Sequence, residues 1–258
     1  MNSDLTTIVP YRADGSGARR RNLKIVIKWL ISDGLTVVLV EHSTAPDPDL
    51  ELPASVKRIH IQADAQPFNK ALTCNVGFVA TDTPMIAIVD ADTLVPTQSL
   101  MHSIQAVRDG LDAVRPFGRL VELDEGSTNA ISDGAPLPAS QAGVRDDARQ
   151  GEYIPLCGGI VIIRSSAYEC VGGMDETFHG WGGEDDALSL ALARKGMRCG
   201  ILEHEAAFHL AHPRSVESRY GHANYAMNLE RARWWRDASD AEIETHMITE
   251  SARLRTTR

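Results

Sequence analysis

Strand-like and helix-like patterns of hydrophobic residues alternate at the start of the chain. Residues 5–10 form a short apolar run, residues 19–32 place apolar side chains at helical spacing before Asp33-Gly34, and residues 35–40 are rich in β-branched side chains. Short apolar or β-branched runs are typical of buried strands, and the 3.6-residue period is typical of an amphipathic helix. The chain is therefore predicted to open with a β-α-β unit.

The same alternation leads to a pair of aspartates. Residues 56–61 predict a strand, residues 69–81 a helix, and residues 85–89 a buried strand that runs directly into Asp90-Ala91-Asp92. Strands that alternate with helices favour an α/β fold with a Rossmann-like, mainly parallel sheet flanked by helices. Such sheets bind ligands beyond the carboxyl ends of their strands, so we expect a site at these aspartates.

The second half of the chain continues with short elements. Residues 121–152 are rich in Gly, Ser, Ala and Asp with little periodicity, which predicts a long loop. The other predicted elements are strands at 159–163, 198–202 and 206–210, helices at 165–171 and 184–195, and helical structure from residue 216 onward.

Length and composition narrow the class of protein. The chain has 258 residues, of which 43% are hydrophobic and 24% charged, which fits one globular α/β domain. We find no signal-peptide pattern and no stretch near the roughly 20 apolar residues of a membrane span. The four cysteines lack metal-binding or disulfide spacing, so we expect reduced thiols, a cytoplasmic location and no membrane span.

The acidic balance of the chain argues against nucleic acid as a partner. A net charge of −9 offers no overall attraction for a polyanion. Arg19, Arg20 and Arg21 form a local basic run, for which a solvated helix start is the simpler interpretation. Together with the arginines of the C-terminal tail, the run nevertheless keeps a nucleic-acid partner open as an alternative.

Asp90 and Asp92 are candidate metal ligands. In an extended chain, residues i and i+2 point to the same side, so the two carboxylates would share one location. Two like charges so close favour a bound cation, and oxygen ligands suit Mg²⁺ or Mn²⁺, which can bridge to a diphosphate. Asp-x-Asp is also common in turns and helix caps, and the tripeptide alone does not separate the two interpretations.

His209 and His212 lie three residues apart just after a predicted strand. A turn could bring both imidazoles onto one cation, and imidazole together with carboxylate suits Mn²⁺ better than Mg²⁺. The alternative is a pair of ordinary surface or hydrogen-bonded histidines, since the chain contains 9 histidines.

The heptapeptide at residues 180–186, Gly-Trp-Gly-Gly-Glu-Asp-Asp, places an indole beside three acids at a helix start. An aromatic face and carboxylates that accept hydrogen bonds from hydroxyls match a sugar acceptor. The structural alternative is a helix cap, because acids in a first turn favour the helix dipole and the glycines make the turn.

These blocks, in this order, resemble the β-1,4-galactosyltransferases and their relatives, whose fold is the GT-A glycosyltransferase fold. Pro10-Tyr11-Arg12 resembles the family's Pro-Phe-Arg, and residues 68–77 resemble its Phe-Asn-Arg-Ala…Asn-Val-Gly helix. Asp90-Ala91-Asp92, Gly158-Gly159 and residues 180–186 fall where the family has Asp-Val-Asp, Gly-Gly and Gly-Trp-Gly-Gly-Glu-Asp-Asp. The resemblance covers about residues 8–212.

The resemblance implies a role for each matched residue. Asp185 would be the catalytic base of an inverting transfer. The donor would be bound by Pro10, Tyr11, Arg12, Phe68, Lys70, Asp90, Leu156, Gly158 and Gly159. The acceptor would meet Trp181, Glu184 and Asp186. The metal, Mn²⁺ or else Mg²⁺ or another divalent cation, would be held by Asp92, His209 and His212.

The same resemblance divides the single predicted domain, 1–258, into three parts. Residues 1–100 would form a nucleotide-sugar-binding half, residues 150–215 an acceptor and catalytic half, and residues 216–258 a C-terminal helical tail.

Two departures from the family pattern bear on specificity. His209 stands where the family commonly has a methionine, which replaces a thioether by a nitrogen ligand. Leu156 stands where the family has a tyrosine that crowds the 2-position of the donor sugar. A leucine leaves room there, so we expect UDP-GalNAc or UDP-GlcNAc to be accepted at least as well as UDP-Gal. The alternative is that Leu156 is a core strand residue and that Pro155 or Cys157 lines the pocket.

The sequence thus predicts a metal-dependent, inverting glycosyltransferase that moves a hexose or N-acetylhexosamine from a UDP-sugar to a hydroxyl acceptor, such as a glycan. Two alternatives stay open. One is transfer to a modified nucleobase of DNA, and the other is a catalytically silent module that binds sugar nucleotides.

Overall fold

The computed structural model describes residues 4–13, 15, 17–63, 67–138, 144–145, 156, 158–213 and 223–257. The strands are β1 (Leu5–Tyr11), β2 (Thr36–Ser43), β3 (Lys57–Gln62), β4 (Met85–Val89), β5 (Thr93–Leu94), β6 (Ala113–Arg115), β7 (Arg119–Glu122), β8 (Val144–Arg145), β9 (Ile160–Arg164), β10 (Cys199–Ile201) and β11 (Ala206–His209). The helices are α1 (Ala18–Ser32), α2 (Lys70–Val79), α3 (Thr97–Arg108), α4 (Glu125–Ser132), α5 (Ser165–Cys170), α6 (Glu184–Arg194), α7 (Ala223–Asp237) and α8 (Asp240–Thr257).

The central sheet has seven strands in the order β10-β6-β9-β4-β1-β2-β3. Strand β9 runs antiparallel to both β4 and β6, whereas the other neighbouring pairs are parallel. Alternate side chains of β1 enter two cores, because successive side chains of a strand point to opposite faces. Leu5 and Val9 pack in the layer that holds α1 and α3, and Ile8 packs in the layer that holds α2, α5 and α6.

A second sheet of four strands, in the order β5-β11-β7-β8, lies beyond the end of β4. Strand β5 begins at Thr93 and pairs with His209 of β11 in antiparallel register. On its other side β11 runs parallel to β7, so that His209 is the register partner of Glu122. This sheet therefore brings two distant parts of the chain beside Asp92.

Helix α2 shows why its sequence block forms a helix against β1. Asn69 caps the helix, since its Oδ1 accepts a hydrogen bond from Leu72 N at 2.8 Å. Gly77 permits close packing, because a Cβ at this position would lie 2.4 Å from Ile8 Cγ2 of β1. The cap fixes where the helix begins, and the glycine fixes how near it lies to the sheet.

Helix α7 is tied to the rest of the chain by a buried carboxylate, Asp175. Asp175 Oδ2 accepts hydrogen bonds from Arg231 Nε at 2.6 Å and from Trp235 Nε1 at 2.8 Å. Its Oδ1 accepts a bond from Thr177 N at 3.0 Å. Asp175 lies just before residues 180–186, so α7 is fixed to the segment that carries the acidic block.

The observed elements agree with most of the predicted ones, and one prediction is wrong. The stretch 121–152 is not a continuous loop, because it contains the end of β7, helix α4 and the short strand β8. Helix α4 has Thr128 as its buried residue and is capped by Asp124, whose Oδ1 accepts from Ser127 N at 2.7 Å. With so little apolar periodicity, the pattern gave no helical signal.

The predictions of no membrane span and of reduced thiols can be compared with the residues that the structure describes. None of the helices there is both long enough and apolar enough to cross a membrane. Cys74, Cys170 and Cys199 carry free thiols, while Cys157 lies outside the described residues.

Candidate active site

Lys70 joins two carboxylates at the carboxyl end of β4. Its Nζ lies 2.9 Å from Asp90 Oδ1 and 3.2 Å from both oxygens of Asp185. Lys70 is the first residue of α2, Asp90 directly follows β4, and Asp185 lies in the first turn of α6. Three separate elements thus converge, and the structure brings together three of the residues that the sequence predicts for the site.

Two glycines complete the wall beside this ion-pair cluster. Asp90 N donates to Gly159 O at 2.7 Å, and Gly159 N donates to Asp90 Oδ2 at 2.9 Å. Gly158 and Gly159 have φ of +56° and +78°, a left-handed conformation that glycine adopts readily. A Cβ at Gly158 would lie 3.4 Å from Asp185 Oδ2, so a glycine keeps the approach to this carboxylate open.

Leu156 lies in the same wall, and its main chain is hydrogen-bonded to Ser189 of α6. Leu156 N donates a hydrogen bond to Ser189 Oγ at 3.1 Å, and Ser189 Oγ donates one to Leu156 O at 2.8 Å. The side chain is 3% exposed and belongs to the core layer of α6. A small cleft is lined by Lys70, Ile88, Leu156, Gly158, Gly159, Ile160, Val161, Asp185 and Leu188. The predicted donor residues Lys70, Leu156, Gly158 and Gly159 therefore share one cleft with Asp185.

Burial of Glu184 and Asp185 close to Lys70 shifts the pKa values of all three side chains. Desolvation, followed by the charge of Asp185, raises the pKa of Glu184 to about 7. Desolvation also raises the pKa of Asp185, although the positive charge of Lys70 opposes this shift. The pKa of Lys70 lies well above its usual value, because attraction from Asp185 and Asp90 outweighs desolvation. The cluster thus holds a charged lysine beside a carboxylate that is more basic than usual.

Asp92, His209 and His212 form a separate group with metal-binding geometry. His212 Nε2 lies 3.1 Å from Asp92 Oδ2, and His209 Nε2 lies 3.6 Å from Asp92 Oδ1. One ligand atom from each of the three residues lies within 4.8 Å of the other two. A carboxylate oxygen and two imidazole nitrogens at this separation fit a divalent cation such as Mn²⁺.

The ring orientation of both histidines is fixed by groups behind them. Glu122 Oε2 accepts a hydrogen bond from His209 Nδ1 at 2.8 Å, and Pro213 O accepts one from His212 Nδ1 at 2.9 Å. Each Nε2 therefore faces Asp92. Glu122 was missed by sequence reasoning, because only the pairing of β7 with β11 brings it to His209.

The main chain between the two histidines is also held. Asn22 of α1 is fully buried, and its Nδ2 donates to Ala211 O at 3.1 Å. Ala211 N donates to Thr128 Oγ1 of α4 at 2.9 Å. Helices α1 and α4 thus fix the segment that carries the candidate metal ligands, a contact that the sequence pattern of neither helix indicates.

The prediction that Asp90 and Asp92 point to one location is wrong. The chain does not continue as an extended strand, because Thr93 N donates to Asp90 O at 3.2 Å and closes a turn. Asp90 pairs with Lys70, whereas Asp92 faces His209 and His212. The two carboxylates thus have different partners.

Trp181, in the block that leads into α6, is partly exposed and stacks on Tyr225 of α7. Their ring centroids are 5.6 Å apart, and the ring planes differ by 21°. Asn228 Nδ2 donates to the carbonyls of His179 at 2.9 Å and Trp181 at 3.2 Å. Glu184 and Asp186, predicted to contact an acceptor, are 9% and 7% exposed. Helix α7 therefore supports the indole, and Tyr225 and Asn228 are further residues that sequence reasoning missed.

A buried network shapes the turn before this block. Asn75 Oδ1 accepts hydrogen bonds from Tyr168 Oη at 2.6 Å and Met174 N at 3.0 Å. Asn75 Nδ2 donates to Met174 O at 2.8 Å. Gly173 has φ of +74°, and a Cβ there would lie 2.4 Å from Asn75 Oδ1. The Asn in the Asn-Val-Gly block thus braces the turn that leads to residues 180–186.

The Pro10-Tyr11-Arg12 block at the end of β1 lies mainly in the core. Tyr11 is 2% exposed, and its hydroxyl donates to Asp47 Oδ2 at 3.0 Å. Pro10 is buried in β1, and Arg12 is partly buried after it. Phe68 lies beside His42, with ring centroids 6.0 Å apart. A ligand could therefore meet Tyr11 only through its main chain.

The basic run is not a solvated helix start, as its simpler interpretation supposed. Arg20 pairs with Asp47 at 2.7 Å, and Arg21 pairs with Glu125 at 2.6 Å. These arginines connect α1 to its neighbours.

Comparison with known proteins supports the resemblance seen in the sequence. Residues 141–213 match the family model described as the N-terminal domain of galactosyltransferase. Over 225 residues the chain is 27% identical to the pre-mycofactocin glycosyltransferase of Mycobacterium tuberculosis, covering 84% of this chain and 44% of that protein. The chain thus spans less than half the length of this curated relative.

Two solved structures share the fold. The Drosophila β-1,4-galactosyltransferase 7 mutant in complex with manganese, UDP-Gal and xylobiose has a TM-score of 0.54 and 17% identity, covering 87% of this chain and 78% of that one. Staphylococcus aureus TarS in complex with UDP-GlcNAc has a TM-score of 0.56 and 13% identity, covering 96% and 72%. The predicted GT-A fold and the predicted similarity to galactosyltransferases are confirmed.

Proposed function

We propose that this chain is a metal-dependent, inverting glycosyltransferase that transfers a hexose or N-acetylhexosamine from a UDP-sugar to a hydroxyl acceptor, such as a glycan. The observation that carries the proposal is the position of Asp185. Its carboxylate lies in a cleft with Lys70 and Gly158, and that cleft adjoins the group of Asp92, His209 and His212 through the turn after β4.

The named neighbours support this choice of donor and cofactor. A neighbour of the same fold binds manganese, UDP-Gal and xylobiose, and another binds UDP-GlcNAc. The relative that matches this chain in sequence is a glycosyltransferase. A UDP-sugar and a divalent cation are therefore the ligands proposed for this chain.

One carboxylate oxygen and two imidazole nitrogens, from Asp92, His209 and His212, form a ligand set that suits Mn²⁺, and these residues would hold it. A divalent cation at this place would offset negative charge on the diphosphate of the departing UDP. Lys70 would add a second positive charge from the base of the cleft, next to the cation site. The main chain of Pro10 and Tyr11, with Arg12, Phe68 and Asp90, would complete the donor pocket.

Asp185 would act as the general base. As the acceptor oxygen attacks the anomeric carbon and forms the new C–O bond, its proton passes to the Asp185 carboxylate. The bond between the anomeric carbon and the diphosphate oxygen breaks on the opposite face, and UDP leaves with that electron pair. One displacement inverts the anomeric centre, and no covalent bond to the protein is formed.

The acceptor would lie against Trp181. The stacked rings of Trp181 and Tyr225 offer an apolar face to a sugar ring, while Glu184 and Asp186 offer hydrogen-bonding groups. Glu184, with a pKa of about 7, would be able to donate as well as accept a hydrogen bond near neutral pH.

A UDP-release assay tests the proposal. The chain is incubated with each of UDP-Gal, UDP-Glc, UDP-GalNAc and UDP-GlcNAc, with Mn²⁺ or with EDTA, and UDP is measured over time. We expect Mn²⁺-dependent release from at least one donor. Binding of a UDP-sugar without any release, in the presence of varied glycan acceptors, would instead support the silent sugar-nucleotide-binding module.

No observation on the described residues favours transfer to a nucleobase of DNA. Arg20 and Arg21, two of the arginines that kept that alternative open, are engaged with Asp47 and Glu125.

A further inference from the structure

Glu122 is an acid that no sequence motif singles out, and it lies directly behind one of the candidate metal ligands. It ends strand β7, where the parallel register with β11 makes it the partner of His209. Its Oε2 lies 2.8 Å from His209 Nδ1, at the length of a good charge-assisted hydrogen bond. The opposite nitrogen of the same ring, Nε2, faces Asp92 Oδ1 at 3.6 Å.

This geometry determines which nitrogen of His209 is free for a cation. A ring that donates its Nδ1 proton to a carboxylate keeps the lone pair on Nε2 when it is neutral. A carboxylate behind a metal-ligating histidine also strengthens the ring as a ligand. His212 is oriented differently, since its Nδ1 donates to the neutral carbonyl of Pro213 at 2.9 Å. The two histidines are therefore unequal, and His209 has the charged partner.

We infer that Glu122 is a positioning residue for the divalent cation, acting through His209. It aims Nε2 at the cation site and supplies a second negative charge beside that of Asp92. This inference rests on the proposed function, because it concerns the same cation site. It goes further by naming a residue outside the three ligands that sets how tightly the cation is held.

The experiment measures Mn²⁺ affinity directly. The full chain with saturating UDP is titrated with Mn²⁺, and free Mn²⁺ is followed by electron paramagnetic resonance. We expect Glu122→Ala to weaken Mn²⁺ binding roughly 10–100-fold, the usual effect of losing such a partner. Glu122→Gln keeps an oxygen that can accept from Nδ1, so it should recover part of the loss.

A double-mutant cycle with His209→Ala separates action through the ring from a general charge effect. If Glu122 acts through His209, then Glu122→Ala should change the Mn²⁺ affinity little once His209 is absent. Glu203→Ala is the matched control, because Glu203 is an exposed acid in the turn before β11 and should leave the affinity unchanged.

Two results would overturn the inference. One is an affinity of folded Glu122→Ala within threefold of the wild type, and the other is an equal loss with and without His209. Asp92→Ala distinguishes these failures from failure of the cation site itself. If Asp92→Ala also binds Mn²⁺ normally, both the inference and the proposed metal dependence are wrong.

Discussion

Lys70 Nζ lies 3.2 Å from each carboxylate oxygen of Asp185, with 10% and 25% of the two side chains exposed. The carboxylate proposed to accept a proton and the ammonium proposed to meet a diphosphate are thus direct partners. The positive charge of Lys70 lowers the pKa of Asp185. If Lys70 moved toward a diphosphate, this effect would weaken and the pKa of Asp185 would rise further. Donor binding and basicity of the acceptor site are therefore expected to be coupled.

The pH dependence of transfer should reveal this coupling. Lys70 lowers the pKa of Asp185, so Lys70→Met should raise it and move the acid limb of the rate profile to higher pH. The measurement is kcat/KM for the donor against pH at saturating acceptor, which reports Asp185 before a diphosphate can draw Lys70 away. An acid limb at the same pH in a folded Lys70→Met protein would contradict the coupling. Lys57→Met is the control, because Lys57 lies on the exposed end of β3 and contacts the carbonyl of Ala80.

Replacement of the proposed base should affect chemistry and spare donor binding. Asp185→Asn keeps the shape of the side chain and should lower turnover roughly 10²–10⁴-fold. UDP affinity, measured by calorimetry, should change little by comparison. The exposed residue Asp82 provides the control Asp82→Asn, which should retain full turnover. Near-normal transfer by Asp185→Asn would show that another group takes the proton.

Metal removal should abolish activity reversibly. EDTA should stop UDP release, and Mn²⁺ should restore it better than Mg²⁺, since two of the three candidate ligands are imidazoles. His212→Ala should raise the Mn²⁺ concentration needed for half-maximal activity, whereas His102→Ala, at an exposed position of α3, should not. Full activity in chelator would refute metal dependence.

Glu184 should make the stability of the fold depend on pH. Its pKa is raised from 4.5 to about 7 in the folded chain, so the folded state holds a proton that the unfolded chain releases. This contribution is complete below pH 4.5 and is lost as pH rises toward 7, at a slope of at most about 1.4 kcal/mol per pH unit.

Urea unfolding at several pH values measures this contribution. Glu184→Gln should flatten the decline of the free energy of unfolding between pH 4.5 and 7. Glu230→Gln, at an exposed position of α7, should leave the decline as in the wild type. The same slope in Glu184→Gln and wild type would exclude Glu184 as its source.

Donor choice should depend on Leu156. We expect UDP-GalNAc or UDP-GlcNAc to be used at least as well as UDP-Gal, and Leu156→Tyr should favour donors with a 2-hydroxyl. Because Leu156 is 3% exposed, the larger ring is expected to cost roughly 1–3 kcal/mol of stability by overpacking, so circular dichroism must confirm folding. A strict preference of the wild type for UDP-Gal or UDP-Glc, or an unchanged donor ratio in the folded variant, would refute the proposal.

The sequence predicted the elements better than their mutual contacts. Hydrophobic periodicity located the strands that end at Tyr11 and Val89 and the helix that begins at Lys70. The resemblance of several short blocks to galactosyltransferases predicted which residues would lie in the cleft. Such signals are local, because each depends on residues within a few positions of one another.

The contacts that could not be predicted join distant residues. Glu122 meets His209 only because β7 and β11 pair in one register, and Asn22 meets Ala211 only because α1 packs beside that segment. The assumption that Asp90 and Asp92 share a direction failed for a similar reason. The chain turns after Val89, and periodicity does not contain that information.

The support that Asn228 and Asp175 give to the acidic block has a consequence for biosynthesis. During translation, the turn at His179 and Trp181 emerges from the ribosome well before Asn228, the residue that donates to both of its carbonyls. Arg231 and Trp235, the partners of Asp175, emerge later still. The segment around Trp181 can therefore reach its final geometry only after most of α7 has been synthesised, and a nascent chain halted before residue 228 should not display it.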